Sequence, residues 1–363
     1  MLKKTDAGDR MVFFGGYDPD YPRNAIIRKG LVRCGFSVTE CRANVKWKIF
    51  RRYPVLLWRY LRDGRNGGIL FVPDFRHKDV PLAWLLARLA GQRCIFDPLV
   101  SRYETKVLDR GDAAEGSLQS WHNRNIDLVS FRLPDLVLTD TQAHAAFFRQ
   151  QYGVDPERVR TLHIGYDDEL FTARPRRGGD GAMRVLFYGT YLPLHGVDTI
   201  IEAVRLLRGP VTVSLIGEGQ TYDDIRARAA GIHPERLTFR PPVPVGELER
   251  TIADSDVVLG IFGGTPKARM VIPNKVYQAL AVGRAVVTAD TEAVRELFTD
   301  GEHLLTVTPG DPAALARAIE RLLGDPALRR RIAERGGDLI RKSYHPAAVA
   351  ARFIALLRER GFL

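Results

Sequence analysis

GIFGGTPKARMVIPNKVYQALAVGRAVVTADTEAVREL, residues 260–297, is the most chemically informative stretch of this chain. It opens on glycines after the apolar run 257–261, so a strand ends in a loop that lets backbone come close to a ligand. Lys267 and Arg269 follow, and Pro273-Asn274-Lys275 then open a helix that Gly283 closes. A proline in the first turn leaves no orphan N–H of its own, while Asn274 and Lys275 offer theirs at the positive end of the helix dipole. A pyrophosphate would sit well there. The alternative is a solvated basic loop. Against it, Lys267, Arg269 and Lys275 converge on one helix start among apolar neighbours with no acid to pair with, and this favours an anion site.

The surroundings of this stretch alternate in the same way. Runs at 184–188, 211–216, 237–239, 257–261, 285–288 and 304–307 are short and apolar, with helical segments between most of them. They predict a doubly wound parallel sheet. Two of its turns carry glycine punctuation. FYGTYLPLHGVDTIIEAV (187–204) is a strand, a loop and an amphipathic helix start, suited to a phosphate, although taken alone an ordinary strand-to-helix turn is the better reading. LIGEGQ (215–220) has a Gly-x-Gly turn, a weak signal by itself.

Upstream, residues 174–181 (RPRRGGDG) have a linker's composition. Before them, runs at 11–15, 69–73, 93–97 and 135–139 alternate with helical stretches at 24–34, 81–90 and 142–152. The expectation is therefore an α/β chain of two Rossmann-like domains, 1–173 and 184–363, joined by 174–183, with the last helix free to pack back on the first domain. Ligands of such sheets bind outside the carboxyl ends of the strands, which directs attention to a cleft between the domains.

Composition narrows the function classes. With 363 residues and 45% hydrophobic content, the chain is long and apolar enough for two ordinary cores, so whole-chain disorder is excluded. No run of eighteen apolar residues occurs and residues 1–10 (MLKKTDAGDR) lack an apolar signal, which makes a cytoplasmic protein the expectation. Cys34, Cys41 and Cys94 lack metal-binding spacing and are expected to be reduced thiols in or near the core. The net charge of +11 is concentrated. Residues 42–65 hold eight basic side chains (Arg42, Lys46, Lys48, Arg51, Arg52, Arg59, Arg62 and Arg65) against Asp63 alone.

Taken together, YGTYLPLHG, LIGEGQ, PNKVYQALAVGRAVVT and DGEHLLTVTPGDPAALARAIERLLGDPALRRRI resemble the group 1, or family 4, retaining glycosyltransferases of the GT-B fold, almost continuously from 184 to about 345. GGYDPDYPRN (15–24), LPDLVLTDTQAHAAFF (133–148) and LHIGYDDELF (162–171) fit the same family in the first half. The resemblance implies a nucleotide-sugar donor as co-substrate, no cofactor and no metal, and a glycan, lipid-linked or small-molecule acceptor. It assigns donor contacts to Gly15, Gly16, Thr190, His195, Gly217, Arg269, Asn274, Gln278 and Glu296, with backbone near Pro241 and Pro242. Catalytic roles fall to Asp97, Lys267 and Lys275.

Departures from the family pattern are specific. Gln278 stands where a ribose-binding glutamate is usual, Met270 where the first acid is usual, and Thr190 and His195 where the first loop has Arg and Lys. Lys267, Arg269 and Lys275 could supply the missing positive charge, with His195 as a donor when protonated. Asp97, where the family often has histidine, could bind a hydroxyl or cap the turn before Pro98. Asp18, Arg23, Asn24 and Arg102 complete the acceptor-side candidates. Other readings are a nucleotide-sugar epimerase of the same architecture, and a non-catalytic protein that binds a sugar nucleotide or an anionic polymer. Nucleic acid is not expected, since no recognised binding module accompanies the charge. In segment 42–65, Trp47, Phe50, Tyr53, Leu56, Leu57, Trp58, Tyr60 and Leu61 interleave with the cations, and Pro54 is expected to break it into two pieces. Either the aromatics belong to the core and the cations to solvent, or the segment docks on an anionic leaflet, which would make the protein peripheral at the inner face of the cell membrane.

Overall fold

The computed structural model describes residues 10–175 and 181–363. In chain order to Gly165 the elements are β1 (Arg10–Gly15), α1 (Pro22–Arg33), β2 (Ser37–Arg42), α2 (Ile49–Arg59), β3 (Ile69–Val72), α3 (Val80–Ala90), β4 (Arg93–Phe96), α4 (Leu118–Arg132), β5 (Leu136–Thr139), α5 (Gln142–Tyr152) and β6 (Val159–Thr161). Then follow β7 (Met183–Tyr188), α6 (Val197–Leu206), β8 (Val211–Ile216), α7 (Tyr222–Arg228), β9 (Leu237–Arg240), α8 (Val245–Ala253), β10 (Val257–Leu259), α9 (Pro266–Met270), α10 (Asn274–Val282), β11 (Ala285–Ala289), α11 (Glu292–Arg295), β12 (Leu305–Val307), α12 (Pro312–Gly324), α13 (Pro326–Ser343) and α14 (Pro346–Glu359). These form two compact units, the first ending at Gly165 but taking back His345–Leu363, the second being Tyr166–Tyr344.

The first unit is built on a six-stranded parallel sheet of order β2-β1-β3-β4-β5-β6. Its strands β3 and β5 are buried along their whole length, which is why they read as continuous apolar runs. Phe131, Phe148 and Tyr152 fill the core beneath β4 and β5, the two phenylalanine rings stacked at 4.4 Å. Helix α14 returns to this unit and packs against α1. The contact requires a glycine, because a Cβ on Gly30 would stand 2.1 Å from the carbonyl oxygen of Pro346.

The second unit has a parallel sheet of order β12-β11-β10-β7-β8-β9. Successive strands run outward to one side from β7 and then to the other from β10, so the topological switch point lies between β7 and β10. Val185, Ile200, Leu215, Val287 and Leu315 belong to its core. The stretch just before residues 176–180, which lie outside the described residues, is already tied to this unit. Thr172 N donates to Glu249 Oε1 at 2.9 Å and Arg174 N to the Val282 carbonyl at 3.2 Å.

Several local expectations need correction. Strand β2 (SVTECR) is a half-exposed edge strand with no apolar run, and β6 has three residues, so neither was visible in the pattern. Pro54 lies inside α2 and does not break it. The proline forfeits one backbone hydrogen bond in the middle of the helix, while buried Arg52, Leu56 and Tyr60 anchor its course on both sides. Cys41 and Cys94 are buried free thiols, whereas Cys34 is exposed at the end of α1. Among the described residues no helix is long and apolar enough to cross a membrane.

Candidate functional site

In the second unit the loops after β7 and β10 are laced together at the switch point. Phe262 N donates to the His195 carbonyl at 3.0 Å and Gly263 N to the Leu194 carbonyl at 3.1 Å. The approach is close enough that a Cβ on Gly196 would stand 2.4 Å from Gly263 N. Gly189, with φ of 140°, turns the chain out of β7, and a Cβ there would lie 3.2 Å from Lys275 Nζ and 3.5 Å from His195 Cε1. Thus Gly189, His195 and Lys275 meet at one point.

Lys275 is the centre of this cluster. It is 5% exposed, and its Nζ has no hydrogen-bond partner among the described residues and lies 3.8 Å from the centroid of the Phe187 ring. Burial holds its pKa well below the ordinary lysine value. Pro273 proves to be the N-cap, so α10 begins at Asn274, and no side chain caps it. The N–H groups of Asn274 and Lys275 therefore have no acceptor within α10, while Val276 N is taken by the Pro273 carbonyl at 2.9 Å. Asn274 Oδ1 is also buried without a partner. A buried amine, two first-turn amides and a glycine that leaves room above them can together hold an anion.

The other second-unit candidates divide. His195 Nδ1 meets the carbonyl of exposed Thr190, so Nδ1 carries the proton and Nε2 is an acceptor in the neutral ring. Burial first, and then the neighbouring Lys275, hold its pKa well below the usual histidine value, which favours the neutral ring over the cation. Gln278 is 9% exposed, and its Oε1 accepts from the Tyr188 hydroxyl at 2.9 Å, which fixes the amide above the end of β7. Lys267 is buried in α9, whose start is capped by Thr265, and its charge also opposes protonation of His195. Arg269 is exposed. Gly217, with φ of 135°, serves packing, since a Cβ there would fall 2.0 Å from the Gly189 carbonyl oxygen. Glu296 is half-buried at the end of α11, and Pro241 and Pro242 are exposed.

In the first unit, the acceptor-side candidates are largely occupied with one another. Arg23 and Asp97 form a fully buried ion pair at 2.6 Å, and Arg23 also donates to the Leu162 carbonyl at 2.8 Å. Burial nevertheless raises the Asp97 pKa, with Arg23 opposing the shift. Asn24 is buried and holds the Asp18 carbonyl at 2.7 Å, while Asp18 itself is exposed and one of its carboxylate oxygens accepts from Asp20 N at 3.1 Å. Arg102 is half-buried against Asn123 at 3.0 Å. The glycine loop after β1 is filled by protein. Gly16 N donates to Asp79 Oδ2 at 2.9 Å, and Arg52 reaches Asp79 Oδ1 at 2.6 Å. A Cβ on Gly15 would lie 3.2 Å from that same Asp79 Oδ2. The Gly16 amide is therefore not available to a donor phosphate, and Arg52 is not part of the surface charge.

Sequence reasoning missed three groups here. Asp79 locks the glycine loop to α2. Asp74, at the end of β3, is pushed up to about 7 by burial. His144 bridges Asp140 at 2.7 Å and Glu104 at 2.8 Å, wholly buried. Of these only His144 had a local signal, the four-residue spacing to Asp140.

Comparison with known proteins agrees with this geometry. Residues 182–325 match the family model described as glycosyl transferases group 1. The lipopolysaccharide core biosynthesis glycosyltransferase LpsE of Rhizobium meliloti is 29% identical over 187 residues, 48% of this chain and 50% of the relative. A D-inositol 3-phosphate glycosyltransferase of Acidothermus cellulolyticus is 29% identical over 281 residues, 70% of this chain and 60% of the relative. The chain thus spans about half to three fifths of the length of these relatives. The crystal structure of Anabaena Alr3699/HepE in complex with UDP-glucose superimposes with a TM-score of 0.71 at 15% identity, covering 96% of this chain and 99% of that one. Over its second unit the chain is thus similar to the group 1 glycosyl transferases, and both units have the Rossmann-like build of the GT-B fold.

Proposed function

We propose that this chain is a glycosyltransferase that moves a sugar from a nucleoside-diphosphate sugar to a hydroxyl acceptor, with retention of anomeric configuration and without a metal. The observation that carries the reading is the buried, unpartnered Nζ of Lys275 beside the uncapped start of α10. A buried amine without a partner is costly to the fold, and a diphosphate supplies the partner. The chemical demand is to stabilise the departing diphosphate while the sugar becomes cationic. Lys275 and the Asn274 and Lys275 amides meet that demand as preorganised donors, with Lys267 adding positive potential. Gln278, whose amide is held by Tyr188, would bond a ribose hydroxyl.

The substrate class follows from the same argument. The solved neighbour was crystallised with UDP-glucose, which supports a nucleoside-diphosphate hexose as donor. The acceptor is assigned to the first unit. There, Phe50 at 68% exposure and Trp58 at 56% stand out from a strongly basic segment, which favours a protein peripheral to an anionic membrane and an acceptor carried on a lipid. The test is release of nucleoside diphosphate from a panel of nucleotide sugars. One donor should release its nucleoside diphosphate slowly in water, by hydrolysis, and faster with an acceptor extract, by transfer of the sugar to an acceptor hydroxyl. Failure to turn over any donor while still binding nucleotide would convert the assignment to a binding protein.

A further inference from the structure

A cavity of about 520 Å³ opens beside the glycine loop of the first unit, lined among others by Tyr17, Asp18, Arg42, Asn44, Trp47 and Arg59. Tyr17, one of its lining residues, is 2% exposed, and its hydroxyl is buried without a hydrogen-bond partner among the described residues. Arg59 has no ion-pair or hydrogen-bond partner among the described residues, and Arg42 has only a loose contact with Glu40 at 3.8 Å. Two acids stand nearby, exposed Asp18 on the wall, one oxygen of which accepts from Asp20 N at 3.1 Å, and Glu40 beside Arg42. An open pocket with two arginines and a buried orphan hydroxyl is built for an anion with several acceptor oxygens.

The surroundings say what carries that anion. On α2, Leu56 packs inward with Tyr60 just beyond the helix, while Val55 and Arg59, four residues apart, line the cavity. The remaining face presents Phe50, Leu57 and Trp58, continued by Leu61, at 68%, 39%, 56% and 55% exposure. Trp47, at the cavity wall, is 39% exposed, and Arg62 lies over the Trp58 ring at 4.4 Å. A polar pocket thus opens next to a bare aromatic ridge, the arrangement that suits an amphiphile with its head in one and its tail along the other.

We propose that the Tyr17–Arg42–Arg59 cavity seats the phosphate of a lipid headgroup while the α2 ridge rests in the bilayer. The inference deepens the membrane part of the proposed function and is independent of the donor site. The experiment uses the full chain and vesicles of phosphatidylcholine containing either phosphatidic acid or, at matched surface charge, oleate. The first offers a phosphate and the second the same charge without one. Arg42→Gln/Arg59→Gln is compared with Arg51→Gln/Arg62→Gln, which removes equal charge outside the cavity, and with Tyr17→Phe, which removes none; thermal melts verify each fold. Wild type should prefer phosphatidic acid vesicles. The cavity pair should lose that preference by roughly tenfold or more, and Tyr17→Phe by roughly threefold, while the outer pair weakens binding to both vesicles alike. Equal binding of wild type to both vesicles, or equal effects of the two arginine pairs, overturns the phosphate seat and leaves the membrane reading standing. Absence of any vesicle binding overturns both. Nucleotide binding by the same samples reports separately on the donor site.

Discussion

Lys275→Met should make the protein more stable and bind its donor worse. Methionine reproduces most of the lysine stem, so the burial of that stem and the Tyr188 contact to the residue 275 backbone carbonyl at 3.4 Å are kept. What is lost is an Nζ that is buried without a partner in the free protein. An unsatisfied buried donor costs about 1–3 kcal/mol, and the contact with the Phe187 ring at 3.8 Å returns only part of that when the amine is neutral. The net expectation is a gain of about 1–2 kcal/mol, read from denaturant midpoints at unchanged slope. With nucleotide the sign reverses. A charge-assisted bond to phosphate contributes about 2 kcal/mol or more, so the dissociation constant should rise by roughly thirtyfold. Because burial holds the Lys275 pKa down in the free protein, and phosphate favours the ammonium, binding takes up a proton and weakens as pH rises through the free-state pKa. A variant that is destabilised, and that binds every nucleoside diphosphate as wild type does, would refute the reasoning on both counts.

Further outcomes follow from other parts of the structure. His144→Ala should destabilise the first unit by about 3–5 kcal/mol, since it leaves the Glu104 and Asp140 carboxylates buried without their shared partner. Burial alone would lower the His144 pKa, but these two carboxylates outweigh it and raise it to about 10. The folded state therefore holds this proton more tightly than the unfolded one. Its stabilisation should be complete below about pH 6.5 and lost as pH rises through the folded value, a loss that denaturation of the variant should not show. Gln278→Glu should preserve the fold and change affinity for a ribonucleotide more than for its deoxy analogue, and equal changes in calorimetry would place Gln278 away from the ribose. Turnover should continue in excess EDTA; complete loss, restored by magnesium or manganese, would contradict metal-free catalysis.

The parts of the molecule legible in the sequence are those set by neighbours in the chain. The apolar runs of β7 and β10, the glycines after them and the Pro273-to-Gly283 frame of α10 are local signals, and they located the second unit and its candidate anion site. Edge strand β2 was not legible because its half-exposed residues need not be apolar. The first unit's polar interior was not legible for another reason. Arg23 meets Asp97 across 74 positions and Arg52 meets Asp79 across 27, and pairing at such separation leaves no periodic trace. Sequence reading assigned Asp97 a catalytic role and Arg23 an acceptor-side one, and the structure joins the two in one buried ion pair. It also separates the basic segment into buried Arg52 and the cations left at the surface, a division that the spacing alone could not make.

The central claim is that the nucleoside diphosphate is held by the second unit at the start of α10. Hydrogen–deuterium exchange of wild-type protein, with and without the tightest-binding nucleoside diphosphate, tests it without depending on turnover. The account predicts added protection in the loop after β7, through residues 189–196, and over the first turn of α10 at 274–276. Protection confined to the first unit, or none in these two segments at saturating nucleotide, would contradict it.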